Sequence, residues 1–151
     1  MKYKTYDHMN CSLAQTLNII GERWTLLILR DAFFGKKRFG QFERSLGISK
    51  NILTARLKML VDEGIMERHD SDEGAHAEYV LTTSGLALQP ILLSMTHWGD
   101  KHRPNPAGKR LIFTERETGK PIRQMSVTTE DGSVLQPQDI RAVAGPGLDV
   151  T

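Results

Sequence analysis

Seven cationic side chains stand between residues 36 and 58, with a single acidic residue, Glu43, among them. The cations are Lys36, Lys37, Arg38, Arg44, Lys50, Arg56 and Lys58. The whole chain has a net charge of +2, so a segment of charge +6 leaves −4 on the remainder. A positive patch on a faintly acidic body is typical of proteins that bind nucleic-acid phosphates. A solvated basic surface with no ligand would carry the same charge.

The second half of this patch has the pattern of a helix with two unlike faces, running from about Ser49 to residue 63. Ser49 is a good N-cap, and Gly64 is a good stop. The apolar residues recur at core-facing spacing: Leu53, Leu57, Leu60 and Val61. The opposite side is cationic and able to form hydrogen bonds, and it consists of Asn51, Ala55 and Lys58, with Thr54 and Arg56 on its flanks.

Such a face suits the major groove of DNA. Asn51 can bond adenine through two hydrogen bonds, Lys50 or Arg56 can contact guanine, and Thr54 or Ala55 can touch a thymine methyl group. The cations before the helix would contact phosphates and set the register without reading sequence. These are Lys36, Lys37, Arg38 and Arg44.

Three shorter helices are predicted ahead of this one, namely 12–20, 22–34 and 39–46. The second is apolar nearly all round, which predicts central burial. A pair of helices joined by a turn containing Gly47 predicts a helix-turn-helix. Two short strands follow, at 65–69 and 77–81, and they extend the prediction to a winged helix.

The tip of this predicted wing, residues 71–76, is acidic because it contains Asp72 and Glu73. These carboxylates would repel a phosphate backbone, so we expect the wing to add little affinity. Arg68 and His76 are its expected DNA contacts.

A last helix is predicted from Thr82 or Thr83 to about His102, kinked at Pro90. Its apolar residues surround nearly the whole circumference, so it needs a second surface to cover them, and we expect a homodimer. Beyond a Pro/Gly linker, residues 104–151 have the pattern of a small antiparallel β appendage. The predicted division is thus a flexible arm (1–10), a winged-helix domain (11–103) and a β-rich extension (104–151). The predicted fold class is mainly α with a small β-hairpin (α+β).

Composition excludes several other classes. There is no apolar run long enough for a membrane span and no apolar core of a signal peptide, so we expect a cytoplasmic protein. The single cysteine, Cys11, leaves a free thiol or an intermolecular bond, and the five histidines offer no ligand pair, so no metal or cofactor is predicted. No nucleophile or acid/base motif is present, which argues against an enzyme. The alternative to a DNA-binding protein is a winged helix that is used only for protein interaction.

Five ordered blocks, closed by Trp98-Gly99, resemble the HxlR family of bacterial winged-helix transcriptional regulators. The blocks are CSLAQTLNIIGERWTLLIL (11–29), RFGQF (38–42), ISKNILTARLKML (48–60), DEGIMER (62–68) and YVLTTSG (79–85). The resemblance covers about residues 10–102. It implies a dimeric, sequence-specific DNA-binding regulator whose first and last helices build the dimer.

The resemblance also implies roles for single residues. The positions where the family's recognition helix meets DNA hold Ser49, Lys50, Asn51, Thr54 and Arg56, and Arg38 matches a basic residue expected at the phosphates. Cys11 stands where some members sense oxidants or electrophiles. The sequence leaves two interpretations of Cys11 open. It is a small buried hydrophobic residue, or it is a reactive cysteine whose thiolate is stabilised by the dipole at a helix N-terminus.

Two departures from the family are visible. Glu22 stands where a small residue is usual, and we expect only a local effect. The tail resembles an extension that carries paired cysteines in some members, but residues 117–119 and 129–132 contain none, so zinc is not predicted. A small-molecule effector is compatible with such a regulator, but no residue pattern identifies one.

Overall fold

The computed structural model describes residues 5–71 and 76–148. Its helices are α1 (Ser12–Ile20), α2 (Thr25–Phe33), α3 (Phe39–Leu46), α4 (Lys50–Asp62), α5 (Thr83–Leu86) and α6 (Gln89–His102), with a 3-10 turn at Pro137–Asp139. The strands are β1 (Met66–His69) and β2 (Glu78–Leu81). The predicted mainly helical winged fold with a small hairpin is confirmed. The chain divides between Gln89 and Pro90 into two compact units.

The core of the first unit takes apolar side chains from α1, α2, α3, α4 and β1. Its fully buried apolar side chains are Ile28 and Leu29 on α2, Phe42 on α3, Leu53, Leu57 and Leu60 on α4, and Met66 on β1. The predicted core-facing stripe of α4 is therefore confirmed, although Val61 is only half-buried. The prediction that α2 is buried all round is wrong, because Leu27 and Phe34 are exposed.

Helix α2 begins at Thr25, three residues later than expected. Gly21 ends α1 in a close turn, where an added Cβ would lie 2.4 Å from the Leu17 carbonyl oxygen. Glu22 then stands just ahead of the helix, and its carboxylate accepts the Trp24 N–H at 2.9 Å. A negative charge there complements the helix dipole, so Glu22 precedes α2 rather than belonging to it.

The turn between α3 and α4 explains how the second helix is aimed. Gly47 adopts a left-handed conformation with φ of 62°, and its N–H donates to the Glu43 carbonyl at 3.0 Å. Ser49 is the N-cap of α4, and its hydroxyl accepts the Ile52 N–H at 3.3 Å. A cap of this kind contributes about 1 kcal/mol. The buried Ile48 between them holds the turn against the core.

The hairpin follows α4 directly, and its strands pair antiparallel from Met66 opposite Leu81 to His69 opposite Glu78. The basic segment before α3 lies along the edge of this hairpin. The Tyr79 N–H donates to the Lys37 carbonyl at 2.7 Å, and the backbones of Arg38 and Glu78 form an isolated antiparallel β-bridge. Of the acidic tip predicted for the wing, residues 71–76, the four residues 72–75 lie outside the described residues.

The single kinked helix predicted for 82–102 is wrong, because the structure has two helices there. The Thr82 hydroxyl caps α5 by accepting the Gly85 N–H at 3.1 Å, and the helix ends at Leu86. Pro90 lies in the first turn of α6, where its missing N–H has no intrahelical partner to lose. The proline therefore starts a new helix instead of kinking an old one.

The tail contains the predicted turns but not the predicted strands. Isolated antiparallel bridges join Thr114 to Pro121 and Thr128 to Val134 across turns that contain Gly119 and Gly132. The expected continuous strands do not extend beyond these bridges in the described part of the tail. A strand needs an apolar face to bury, and the best-covered tail side chains, Phe113 and Leu135, are only half-buried.

Candidate nucleic-acid interface

The side of α4 opposite its buried stripe is open to solvent. Ser49, Lys50, Asn51, Thr54 and Lys58 are all exposed there, as the sequence predicts. The stripe on the other side is packed into the core, so the helix cannot turn without exposing three leucines. The polar face is thus held in one orientation by burial on the other side.

Arg56 differs from the other predicted DNA contacts. Its side chain is 20% exposed, and its Nε lies 3.2 Å from Oε2 of Glu22, whose side chain is 14% exposed. The same carboxylate engages the start of α2 through Trp24 and Thr25. The expectation that Glu22 has only a local effect is therefore wrong, because Glu22 connects the α1–α2 junction to α4.

Lys58 is exposed, but it also has a partner. Its Nζ lies 2.6 Å from Oδ2 of Asp62, one turn further along α4. Such an exposed i,i+4 pair contributes little to stability, since solvent and salt screen it. The pair does reduce the positive charge at the C-terminal end of the polar face. Lys50 and the cations before α3 therefore contribute most of the positive electrostatic potential on this side.

The basic segment before α3 is anchored by a residue that the sequence analysis missed. The side chain of Gln41 accepts the backbone N–H groups of Lys37 and Arg38 at 2.9 and 3.0 Å. Lys37 and Arg38 are exposed, and Lys36 is half-buried. A glutamine three residues after the N-cap is the capping-box position, which could have identified Gln41. Arg44 is exposed on α3, with a guanidinium nitrogen near Gly40.

The wing contributes fewer unpaired cations than the segment before α3. Arg68 is exposed and pairs with Asp70 at 3.2 Å, while His69 lies 2.9 Å from Glu67. His76 is exposed at the other side of the undescribed tip. The described part of the wing therefore has local partners for its charges, which agrees with a minor role in DNA affinity.

Cys11 is exposed and occupies the N-cap position of α1. Its backbone is extended, and its carbonyl accepts the Gln15 N–H at 3.0 Å, while its sulfur makes no capping hydrogen bond. The preceding residues, predicted as a flexible arm, are hydrogen bonded to α1 in their described part. Asn18 accepts the Tyr6 N–H at 2.7 Å, and Gln15 donates to the Met9 carbonyl at 2.9 Å.

No three histidine, cysteine, aspartate or glutamate side chains cluster as metal ligands within residues 5–71 and 76–148. None of the described helices is long and apolar enough to cross a lipid bilayer.

Comparison with known proteins adds an independent line. A model of the HxlR-like helix-turn-helix family matches residues 19–106. Rv3095 of Mycobacterium tuberculosis, an uncharacterized HTH-type transcriptional regulator, is 38% identical over 139 residues, which cover 91% of this chain and 87% of that protein. The crystal structure of PA1607, a candidate transcription factor, superposes with a TM-score of 0.87 at 39% identity, covering 94% of this chain and 100% of that one. The redox regulator HypR in its oxidized form superposes with a TM-score of 0.57 at 36% identity, covering 62% of this chain and 98% of HypR.

The family match contains the whole of α2, α3, α4 and the hairpin, which are the elements that aim the polar face of α4. The similar proteins are described as transcriptional regulators, so neither an enzyme nor a pure protein-interaction module describes this chain. The chain belongs to the HxlR-like helix-turn-helix family of DNA-binding transcriptional regulators.

Proposed function

We propose that α4 enters the major groove and that Asn51, Thr54 and Lys50 contact base edges there. The observation that carries this assignment is the exposed polar face of a helix that is capped by Ser49 and held in the core by three buried leucines. An asparagine on such a face can make the two hydrogen bonds that distinguish adenine. Ser49 lies at the helix N-terminus, where hydroxyl and backbone N–H groups suit a phosphate.

The cations outside α4 position the helix along the duplex. Lys37 and Arg38 are exposed on a segment that Gln41 and the β2 backbone hold in place, with Lys36 beside them. Together with Arg44 and Lys58 they supply sequence-independent attraction to phosphates. Arg68 and His76 would add contacts from the wing. Arg56, paired with Glu22, positions α4 rather than reading a base.

The regulator works as a homodimer that places two recognition helices on a pseudo-palindromic site, about one helical turn of DNA apart. Support comes from large apolar side chains left exposed in the single chain. Leu13 on α1 is 67% exposed, and Met95 and Trp98 on α6 are 53% and 57% exposed. A second subunit would cover them, as expected from the family. Its place of action would be the bacterial cytoplasm, where the chromosome lies.

Cys11 is proposed as an oxidant-responsive thiol. It is exposed at a helix N-terminus, and HypR, a protein of similar structure, is described as a redox regulator. Cys11→Ser should leave operator affinity unchanged under reducing conditions and remove any change in affinity caused by peroxide or a quinone. A response that persists in Cys11→Ser would assign sensing to another group.

The DNA-binding assignment is tested by comparing two substitutions on an operator obtained from genomic binding-site mapping. Asn51→Ala should relax specificity at one base pair per half-site, costing about 1 to 3 kcal/mol on the correct base. Arg38→Ala should weaken all sequences alike and reduce the slope of log affinity against log salt by about one unit per lost contact.

Lys120→Ala, which removes an exposed cation of the tail, serves as the control and should change neither quantity. Gel-shift or fluorescence-anisotropy titrations over a series of salt concentrations measure both effects. If Asn51→Ala weakened all sequences equally while Arg38→Ala altered base preference, the division of roles would be reversed. Binding of the intact protein to no DNA sequence would overturn the assignment.

A further inference from the structure

A cleft of about 510 Å³ lies beside the Glu22–Arg56 pair, entirely within the first compact unit. Its apolar lining includes Leu17 and Ile19 of α1 and Met59 of α4. Its charged lining consists of Glu22, Arg23 and Arg56. The volume falls within the range of about 300 to 1,000 Å³ that is usual for small-molecule sites. The combination of apolar wall and few charged groups is also typical of such sites.

The charges in this cleft favour an anion. Two arginines and one glutamate line it, and the glutamate carboxylate is already engaged. Oε2 of Glu22 accepts the Trp24 N–H at 2.9 Å and the Thr25 hydroxyl at 3.4 Å, and it lies 3.2 Å from Arg56 Nε. The Arg23 guanidinium lies 5.2 Å from the centre of the Trp24 ring and has no carboxylate partner among the described residues. A cation would have to take Glu22 from all of these donors, whereas an anion would have to replace Glu22 only at Arg56 and would gain Arg23 as a second cationic neighbour.

We infer that this cleft binds a small organic anion, a carboxylate on an apolar or aromatic body, and that this anion takes Arg56 from Glu22. The apolar body would cover Leu17, Ile19 and Met59, and the carboxylate would form charge-assisted hydrogen bonds with Arg56. Because the site is partly buried, salt screens this interaction less than it screens a surface pair.

Occupancy of the cleft changes how α4 is held. Arg56 connects α4 to the α1–α2 junction, and Asn51 and Thr54 lie on the same helix. A ligand that replaces Glu22 as the partner of Arg56 removes that connection and therefore lowers operator affinity. This regulatory step rests on the proposed DNA-binding function, whereas ligand binding itself does not. Coupling between two binding sites is reciprocal, so operator DNA must weaken ligand binding by the same factor.

The direct test uses the full chain with 2-naphthoate as the probe and neutral 2-naphthamide as its matched control. Calorimetry measures affinity, and amide and methyl NMR shifts locate binding. Naphthoate should bind saturably and shift Leu17, Ile19 and Met59, while the amide should bind roughly tenfold or more weakly. Equal affinity for the two probes, shifts confined to other residues, or no saturation by naphthoate would each overturn the inference.

Substitutions of Arg56 and Glu22 should change naphthoate affinity in opposite directions. In a purely apolar cleft neither substitution would have this effect. Arg56→Gln should weaken naphthoate binding roughly tenfold, and Arg56→Lys should restore part of it. Glu22→Gln should strengthen binding roughly threefold, because it removes the competing carboxylate. Arg110→Gln, which removes another paired arginine outside the cleft, should leave binding unchanged. If Glu22→Gln weakened naphthoate binding in a folded protein, the proposed competition would be wrong.

If the charge variants fail to fold, Met59→Trp tests the same site by filling it, since Met59 is half-buried in the cleft wall. This variant should lose naphthoate binding although it keeps the charges of Glu22 and Arg56. Saturating naphthoate should also lower operator affinity by roughly fivefold. Naphthoate binding without DNA binding would overturn the proposed function and leave the ligand site standing. DNA binding without naphthoate binding would overturn the ligand site and leave the proposed DNA-binding function standing.

Discussion

The two compact units differ in what holds them together. In the described residues every buried side chain lies before Pro90, and the first unit has a core shared by the four helices α1 to α4 and by β1. From Pro90 onward no described residue is buried, and α6 leaves all its apolar side chains at least partly exposed. The tail after α6 is held by local turn hydrogen bonds, by two isolated β-bridges and by a few polar contacts with α6, such as the Met125 N–H that donates to His97 Nδ1 at 3.0 Å.

This difference separates two tasks. Base recognition needs side chains held to within a fraction of an ångström, and a helix packed on a core can provide that. Association of two subunits needs apolar surface that is still uncovered in the single chain. The buried stripe of α4 suits the first task, and it belongs to the first unit. The exposed apolar residues that suit the second task include Met95 and Trp98 of α6 in the second unit and Leu13 of α1 in the first.

The largest expected effect tests the core of the first unit. Leu57→Ala should lower the free energy of unfolding by about 2 to 5 kcal/mol, because Leu57 is fully buried and its truncation leaves a cavity. Val143→Ala in the tail, where the side chain is 76% exposed, should stay within about 0.5 kcal/mol. Urea unfolding followed by circular dichroism measures both. Similar losses in the two variants would remove the distinction between the units.

The next effect tests whether α6 supplies a subunit interface. Met95→Glu should raise the dimer dissociation constant by roughly a hundredfold, about 2.8 kcal/mol, since a twofold interface brings in two unpaired charges. Val143→Glu adds the same charge at another exposed apolar position and should not alter association. Sedimentation velocity over a range of concentrations distinguishes them. A Met95→Glu dimer as stable as the parent would place the interface elsewhere.

The smallest effect tests the local bonds of the tail. The Thr129 hydroxyl and the Ser133 N–H both donate to the carboxylate of Asp131 and lower the pKa of this exposed group below its ordinary value of 3.8. A lowered folded-state pKa means that the bonds stabilise the turn above that ordinary value and are lost as pH falls through the lower one.

The amide proton shift of Ser133, followed by NMR during acid titration, should therefore change below pH 3.8. In Asp131→Asn this titration should vanish, while the amide of Gly119 in the other tail turn provides the reference. A Ser133 shift that titrates in the same way in Asp131→Asn would show that another group controls the turn. In either outcome the unfolding of the first unit should be unaffected by the substitution at neutral pH.

The local pattern was sufficient for α4. The spacing of Leu53, Leu57 and Leu60 predicted its buried face, Ser49 predicted its start, and both are confirmed. Prediction was weaker where burial decides the outcome. Leu27 and Phe34 look like core residues in a helix that is apolar all round, yet both are exposed, because a helix can face its own core on one side only.

The tail shows a related error. Alternating apolar residues predicted strands, and the turns around Gly119 and Gly132 do form. Alternation specifies which face of a strand is apolar, but a strand pair persists only if that face is covered. Pro90 was misinterpreted for a related reason, since a proline inside an apolar run ends one helix or begins another according to how the neighbouring turns pack.

By itself the sequence determined the positive patch, the two faces of α4, the order of helices and strands from α1 to β2, and the resemblance to one family. Each of these depends on residue type and spacing along the chain. Tertiary structure alone decided that Arg56 meets Glu22 and that Gln41 holds the basic segment together with β2. Which charges find partners depends on distances across the fold, and these distances determine which cations remain available to DNA.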